Sequence, residues 1–359
     1  MPSSSAQGPD ARQVVSRILD EALGRRASDV HVEPTAQGYE IRYRIDGLLE
    51  TVGTHDGDAG RAIVGRLMVM AQLLTYRLDV PQEGRLQLAV DSQAAPLDLR
   101  LAIMPTTHGL RAAVRMPAEL LQPMGIDRLQ LPAGVVEGLK RFAAGDWGML
   151  IFTGPAGSGK TTTIYALLQY IMRQSPGLSV ITLEDPVERD LPGVTQIEVK
   201  PFGELTYERA LRSILRQDPQ VLMLGEIRDN ATAVLAVQAA LSGHRLVCTL
   251  HASDPAGAVA RLSEMGLEPY QVTSALFGVV SQRLLRRVTP EGYCGRVPVA
   301  EFVAVDDAMR SGILRRADAA TLRAGYESRE GFLSMRKVAQ RLVADGITDV
   351  AEVGRVLGG

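Results

Sequence analysis

The chain has 359 residues, of which 46% are hydrophobic and 22% are charged, and its formal net charge is -2. This composition is that of an ordinary folded protein, and the length favours two domains over one. The near-neutral charge excludes a global attraction to nucleic acid or to an anionic membrane surface. The two cysteines, Cys248 and Cys294, are too few for a disulfide framework and fit a reducing compartment.

Residues 1–10 lack the basic and apolar segments of a signal peptide and are predicted to be a disordered lead. No apolar run of the sequence approaches the roughly 18 residues that a membrane-spanning helix needs. We therefore expect a cytoplasmic protein that is peripheral to a membrane and meets it only through a partner.

Residues 11–116 carry the mixed helix and strand pattern of a small α+β domain. Apolar residues at helical spacing predict helices over 11–25 and 60–74. Between them, residues 39–52 alternate in polarity around the pair Asp46-Gly47, which is typical of a β-hairpin. Further strands are predicted at 85–90, 96–103 and 110–116. A proline-punctuated stretch at 117–132 is predicted to be a linker.

Residues 133–359 show the pattern of an α/β domain built on a parallel sheet. Short apolar runs separated by helical segments are typical of strands that are buried between two layers of helices. The region from Pro290 onward is predicted to be mostly helical. The predicted strands are 149–153, 179–183, 221–224 and 245–250.

A glycine-rich segment, Gly-Pro-Ala-Gly-Ser-Gly-Lys-Thr, matches the P-loop pattern. Its glycines allow backbone N–H groups to converge on phosphate, and the helix that follows directs its positive end at the same point. Lys160 is expected to reach the β- and γ-phosphate oxygens, and the Thr161 hydroxyl to bind Mg²⁺. An accidental glycine-rich turn is the alternative, but the preceding apolar strand and the following helix favour a nucleotide site. The residues predicted to contact ATP are Gly154, Pro155, Ala156, Gly157, Ser158, Gly159, Lys160, Thr161 and Thr162.

Two carboxylates, Glu184 and Glu226, each end an apolar run, and the carboxyl ends of parallel strands meet at one edge of a sheet. A carboxylate in that position is costly unless it faces a cation, so both are predicted to complete the site. Hydrolysis needs such groups to hold magnesium and to align water. For Glu188 and Asp229, a site role and a solvated loop charge are equally supported.

His251 repeats this arrangement, because it ends the apolar run at 246–250. A lone histidine is more often a structural residue, but this position favours a role in the site. For His244 the two interpretations remain even.

With these motifs in this chain order, the sequence resembles the traffic ATPases of type II secretion and type IV pilus assembly over nearly the whole chain after residue 10. The similarity also covers the N-terminal stretches at 27–33 and 43–47. Four segments carry it, namely the P-loop at 154–161, the aspartate box Thr182-Leu-Glu-Asp-Pro-Val-Glu188, the Walker B segment Leu222-Met-Leu-Gly-Glu-Ile-Arg-Asp229 and the histidine box Gly243-His-Arg-Leu-Val-Cys-Thr-Leu-His251.

The resemblance implies a homohexamer in which a PAS-like N-terminal domain of one subunit packs on the RecA-like ATPase domain of the next. It implies that Glu184 is the general base and that Glu226 holds magnesium, through water. Four arginines match the family's phosphate-reaching arginines. They are Arg100 and Arg115 in the N-terminal domain and the pair Arg212 and Arg216. A surface or ion-pairing role is the alternative for each of them.

The chain also departs from the family pattern. Many members carry a four-cysteine zinc module after the segment that corresponds to 281–286, whereas this chain has Cys294 alone, so we expect no zinc. The N-terminal domain that docks longer members onto a membrane-anchored partner is expected to be missing. Ile227 and the segments at 216–219 and 296–305 favour the secretion and assembly branch over the retraction branch.

The resulting hypothesis is a hexameric, ATP- and Mg²⁺-dependent motor that drives type II secretion or pilus assembly through an inner-membrane platform protein. A pilus-retraction, DNA-uptake or conjugation motor of the same superfamily is the alternative. A direct nucleic-acid motor is disfavoured, because only 4% of the residues are aromatic and no basic excess is present. A regulator that binds ATP without hydrolysing it is disfavoured by the intact carboxylates.

Overall fold

The computed structural model of the chain describes residues 10–89, 96–117, 125–199 and 204–358. The chain divides into two compact units, Met1–Gln122 and Pro123–Gly359. Residues 1–9 of the lead predicted at 1–10 lie outside the described residues, and so does the part of the predicted linker at 118–124.

The first unit is an antiparallel sheet with two helices, and its strand order is β3-β2-β1-β6-β5-β4. One face of the sheet forms a hydrophobic core with the apolar sides of both helices, whereas the other face is polar. The elements of this unit are α1 (Ala11–Gly24), β1 (Asp29–Thr35), β2 (Gly38–Ile45), β3 (Leu48–His55), α2 (Gly57–Met70), β4 (Gln82–Leu88), β5 (Leu97–Thr106) and β6 (Gly109–Arg115).

The predicted hairpin is confirmed. Strands β2 and β3 pair antiparallel from Ile45 opposite Leu48, so the loop between them is the two-residue pair Asp46-Gly47. Both loop residues have positive φ, 48° and 90°, as a tight hairpin turn requires. Strand β1, which pairs with both β2 and β6, has no counterpart among the predicted elements.

The second unit contains a seven-stranded sheet in the order β13-β12-β7-β11-β10-β8-β9. Its strands run parallel except for β13, which pairs antiparallel with β12 at one edge. The elements are α3 (Ala133–Ala144), β7 (Gly148–Thr153), α4 (Lys160–Gln174), β8 (Val180–Glu184), β9 (Thr195–Glu198), α5 (Tyr207–Ile214), β10 (Val221–Leu224), α6 (Asn230–Leu241), β11 (Arg245–Leu250), α7 (Pro255–Glu264), α8 (Pro269–Ala275), β12 (Leu276–Thr289), β13 (Gly292–Ala304), α9 (Asp307–Leu314), α10 (Ala319–Glu327), α11 (Met335–Ala344) and α12 (Val350–Leu357).

Helices cover both faces of this sheet. On β7, Met149 and Ile151 belong to one hydrophobic core, and Leu150 and Phe152 belong to another on the opposite face. All six residues of β7 are buried, which explains its continuous apolar run. The parallel-rich α/β architecture that the sequence predicts is present.

The helical prediction from Pro290 onward is wrong for residues 292–304, which form the long strand β13. Strand β12, with 14 residues, also has no counterpart among the predicted strands. The two strands form a hairpin that extends well beyond the sheet, and four short helices follow it.

Within the part of the chain that the structure describes, no helix has both the length and the apolar character needed to span a membrane.

Candidate nucleotide-binding site

The P-loop connects the carboxyl end of β7 to the first residue of α4, so it lies at the edge of the sheet where the parallel strands end. Gly154, Gly157 and Gly159 have φ angles of 144°, 74° and 85°, which residues other than glycine rarely adopt. A Cβ atom on Gly154 would lie 2.5 Å from the backbone oxygen of Gln282. The glycines therefore allow a conformation and a close approach that other residues would obstruct.

Lys160 lies folded over the loop that precedes it. Its Nζ donates to the backbone oxygens of Gly154 at 2.8 Å and Pro155 at 2.9 Å. Burial lowers the pKa of Lys160, and the nearby charge of Arg283 lowers it further, whereas Glu226 acts in the opposite direction. An ammonium group that is partly desolvated and hydrogen-bonded to neutral carbonyls would gain a stronger partner in a phosphate oxygen.

The rest of the loop offers the donors that an anion needs at a helix N-terminus. Thr161 is half-buried in the first turn of α4, and Thr162 is exposed beside it. Pro155, Ala156 and Gly157 form the exposed part of the loop, and Ser158 is buried.

Glu184, the last residue of β8, is 3% exposed and held from three directions. Its Oε2 accepts a hydrogen bond from the hydroxyl of Tyr165. Its Oε1 accepts from Thr182 Oγ1 at 2.7 Å and from Gln196 Nε2 at 3.1 Å. Burial raises the pKa of Tyr165, and the charge of Glu184 raises it further, so the phenol remains a donor. Because Tyr165 lies on α4, the P-loop helix and this carboxylate are directly connected.

Glu226 lies just beyond β10 and meets His251 just beyond the neighbouring strand β11. The Nε2 of His251 is 3.0 Å from Glu226 Oε2, and the guanidinium of Arg228 contacts Oε1. Arg228 also lies 3.3 Å from Asp185, the residue after Glu184. The structure therefore brings the two predicted residues Glu226 and His251 together and links them to the aspartate box.

Asp229 and His244, near the same strands, have structural partners. Asp229 caps helix α6 by accepting a hydrogen bond from the Thr232 N–H at 2.8 Å. The Nδ1 of His244 lies 2.8 Å from the backbone oxygen of Ala239 at the end of the same helix. Glu188 is exposed.

Arg212 and Arg216 lie on helix α5 and just after its end. Arg212 forms an exposed ion pair with Glu208, one turn earlier on α5, at 3.0 Å. Arg216 follows the end of α5 and is exposed.

Arg100 and Arg115 lie in the first unit, directly opposite each other on β5 and β6. Arg85 on β4 is the next residue in the same row, so three arginines are adjacent across three strands. Asp29 on β1 is paired with Arg115, with its Oδ1 3.5 Å from Arg115 Nε. Like charges directly opposite each other in a sheet destabilise it unless an anion lies between them.

Oxygen ligands suitable for Mg²⁺ are present at the P-loop edge of the sheet in the Thr161 hydroxyl and the Glu226 carboxylate. Together with nucleotide phosphates and water they match the hard, oxygen-preferring chemistry of this ion. Among the described residues, no three His, Cys, Asp or Glu side chains are grouped closely enough to hold a metal ion by themselves. Cys294 is exposed and Cys248 is buried.

The motifs did not indicate several side chains that organise the site. Tyr165 and Gln196 orient Glu184, and the hydroxyl of Tyr207 lies near the backbone of Gly225. Burial raises the pKa of Tyr207, and the charge of Asp185 raises it further. Gln282 and Arg283, on β12, contact the P-loop across more than 100 residues of chain. Only spatial proximity identifies them.

A protein-family model described as Type II/IV secretion system protein matches residues 5–355. The chain belongs to this family. The type II secretion system protein HxcR of Pseudomonas aeruginosa is 37% identical over 97% of this chain and 78% of its own length. The type IV pilus assembly ATPase PilB of Thermus thermophilus is 35% identical over 96% of this chain. The chain spans only 42% of the length of PilB.

Among solved structures, the ATPase DotB of Legionella pneumophila has a similar fold. The TM-score is 0.78, with 20% sequence identity, and the alignment covers 100% of this chain and 98% of DotB. The two chains therefore share a fold.

Proposed function

We propose that the chain is a homohexameric, cytoplasmic ATPase that hydrolyses ATP to power type II secretion or type IV pilus-like assembly through an inner-membrane platform protein. Its first unit would be the PAS-like domain of the family and its second unit the RecA-like ATPase domain. The observation that carries the proposal is the convergence of the P-loop, Glu184, Glu226 and His251 at one edge of the parallel sheet.

In this mechanism Lys160 exchanges the loop carbonyls of Gly154 and Pro155 for the β- and γ-phosphate oxygens of ATP. The exchange is favourable because a charged acceptor replaces two neutral ones. The loop amides and the N-terminus of α4 hold the remaining phosphate charge. Nucleotide binding therefore draws on groups that are already oriented.

Glu184 is the candidate general base, because it is a buried carboxylate that is hydrogen-bonded to Tyr165 on the P-loop helix. Tyr165, Thr182 and Gln196 fix the direction of its oxygens, and a base must be held in this way to align an attacking water. When bound, Mg²⁺ would be held by Thr161 and Glu226 and would neutralise phosphate charge.

His251 and Arg228 both contact Glu226, so they fix the orientation of this carboxylate. Arg228 also contacts Asp185, so it connects the ends of β8 and β10. A movement of Glu226 on phosphate binding would therefore be transmitted to the aspartate box. Arg100 and Arg115, supplied by a neighbouring subunit, would stabilise developing phosphoryl charge. Arg212 and Arg216 are proposed as a second pair with the same task.

The alternative is a retraction, DNA-uptake or conjugation motor with the same chemistry and another load, since the ATPase fold does not specify its load. Copurification with a polytopic membrane protein of a secretion or pilus system would support the proposed role in secretion or pilus assembly. Stimulation of ATP turnover by single- or double-stranded DNA would contradict it.

The first experiment is to measure ATPase activity against protein concentration for the wild type and for Arg100→Ala. If sites are completed between subunits, specific activity rises steeply with concentration, and Arg100→Ala lowers it by about 10³-fold or more. Arg85→Ala measures the effect of removing an arginine from the same row. Wild-type activity that is independent of concentration, or an Arg100→Ala protein with normal turnover, would contradict the intersubunit site.

A further inference from the structure

Gln282 is a buried side chain of β12 that contacts the P-loop at Ser158 and the first turn of α4 at Thr163. It is 2% exposed. Its Nε2 donates to the backbone oxygen of Ser158 at 2.9 Å, and its Oε1 accepts from the hydroxyl of Thr163 at 2.9 Å. The carbonyl of Ser158 can only accept, so this contact fixes which end of the amide faces the loop.

The Ser158 carbonyl belongs to the same peptide unit as the N–H of Gly159. In a planar trans peptide the C=O and N–H bonds point in opposite directions. Holding the carbonyl of Ser158 toward β12 therefore directs the N–H of Gly159 away from β12, toward the interior of the P-loop. An unpaired carbonyl at this buried position would be free to rotate, and the amide would rotate with it.

The surroundings leave little room for another arrangement. A Cβ on Gly159 would lie 2.8 Å from Gln282 Nε2, and a Cβ on Gly154 would lie 2.5 Å from the backbone oxygen of Gln282. Arg283, the next residue, donates to that same oxygen and to the backbone oxygen of Ser253, both at 2.9 Å. The middle of β12 is thus attached to the loop that follows the histidine box.

We infer that Gln282 is a positioning residue for nucleotide phosphate, which sets the Ser158–Gly159 peptide so that its amide faces the phosphate. This inference rests on the proposed nucleotide-binding function. Gln282 itself does not contact phosphate. It acts through the backbone, and Thr163 holds it in the required orientation.

The test compares Gln282→Met with the wild type. Methionine has a similar length and no charge, but it cannot donate to Ser158. A misdirected amide weakens binding of the ground state and the transition state alike, which raises KM and leaves kcat unchanged. We expect the Kd for a fluorescent ADP analogue with Mg²⁺, and the KM for ATP, to rise by about tenfold. We expect kcat at saturating ATP to stay within about twofold.

Thr163→Val provides a second, nearly isosteric variant that leaves the donor of Gln282 in place. It removes the hydrogen bond to Gln282 Oε1 and also the 3.2 Å contact of the Thr163 hydroxyl with the backbone oxygen of Gly159. We expect a smaller rise in KM, about threefold, and no further rise when it is combined with Gln282→Met. Gln238→Met is the matched control, because Gln238 is exposed on α6, and it should leave KM and Kd unchanged.

A variant that merely destabilises the fold would lose active protein, so kcat would fall at unchanged KM. That result for Gln282→Met, or an unchanged Kd for the ADP analogue, would overturn the inference. If Gln282→Met does not fold, an unchanged KM in Thr163→Val overturns it instead. A wild-type protein that fails to bind the ADP analogue would contradict the proposed function itself, so the two failures are distinguishable.

Discussion

Glu184 is the residue whose surroundings are most difficult to explain without a chemical role. A buried carboxylate at a strand end is costly, and here three side chains, Tyr165, Thr182 and Gln196, are used to hold it. A hydrophobic residue would fill the same space at lower cost. The arrangement instead resembles the fixed base that phosphoryl transfer to water needs.

We expect Glu184→Gln to lower kcat for ATP by about 10²–10⁴-fold, because an amide accepts no proton from the attacking water. Nucleotide affinity should stay within a few-fold of the wild type, since the P-loop is unchanged. Steady-state phosphate release and titration with a fluorescent ADP analogue measure the two quantities.

The control for this change is Glu137→Gln on α3, where the same substitution is made on an exposed side chain. It should leave both quantities unchanged. Near-normal turnover by Glu184→Gln would show that Glu184 is not the base, and Glu226 would then be the next candidate.

At the level of elements, local patterns predicted those parts of the fold that local chemistry determines. The pair Asp46-Gly47 adopts the positive φ angles that a two-residue hairpin turn requires, so its hairpin was predictable. The run at 221–224 matches β10 residue for residue, because a strand buried on both faces must be apolar throughout. The P-loop was predictable for a similar reason, since its glycines are required by backbone geometry.

Long-range contacts were not predictable in this way. Strand β12 carries arginines at 283, 286 and 287, and this spacing does not give the continuous apolar run of a buried strand. Gln282 meets Ser158 across 124 residues, and Tyr165 meets Glu184 across 19. Neither pairing leaves a periodic signal in the sequence, because the sheet order brings the residues together.

The C-terminal helix α12 is attached to the β12–β13 hairpin by an ionic cluster, and this attachment allows a test of stability. The side chain of Glu352 is fully buried, and it accepts from Arg286 Nη2 at 2.7 Å and from Arg355 Nη2 at 2.6 Å. Glu352 also accepts from the backbone N–H of Arg286 at 3.0 Å. Glu352→Gln would leave two arginines with no counter-charge, and we expect it to lower the free energy of unfolding by about 3 kcal/mol. Chemical denaturation at pH 7 measures this change.

Glu264→Gln is the matched control, since Glu264 forms an exposed pair with Arg261 at 3.0 Å. Its effect should remain below about 1 kcal/mol. Equal effects of the two substitutions on the free energy of unfolding would show that the buried cluster stabilises the fold no more than an exposed ion pair does.

The effect of Glu352 should also depend on pH in a defined direction. Burial alone raises the pKa of Glu352, but hydrogen bonds from Arg355 and Arg286 outweigh it and lower the pKa to about 2, from an ordinary value of 4.5. A depressed carboxyl pKa in the folded state gives stability that is present above pH 4.5 and is lost as the pH falls toward 2. The difference between wild type and Glu352→Gln should therefore shrink between pH 5 and pH 3. A difference that grows over this range would have the wrong sign.

At the scale of the whole molecule, the first unit carries a row of three arginines on one face of its sheet. Arg85, Arg100 and Arg115 are adjacent across three strands, and Asp29 is the cross-strand neighbour of Arg115. Such a row favours an anion, and the phosphates of a nucleotide bound to the second unit of a neighbouring subunit are the anion that we propose. If so, each ATP site is assembled from two chains.

Mixing two inactive proteins tests this assembly directly. An Arg100→Ala subunit retains Glu184, and a Glu184→Gln subunit retains Arg100, so a site formed between them in the right order has both groups. Random hexamers of an equal mixture contain that order at roughly one half times one half, or a quarter, of the interfaces. We expect the mixture to recover about a quarter of wild-type ATPase activity if the sites act independently. Lys160→Ala mixed with Glu184→Gln is the control, because both defects lie in the same unit and no interface restores them. Hexamers that exchange subunits without any recovery of activity would show that Arg100 does not serve the neighbouring site.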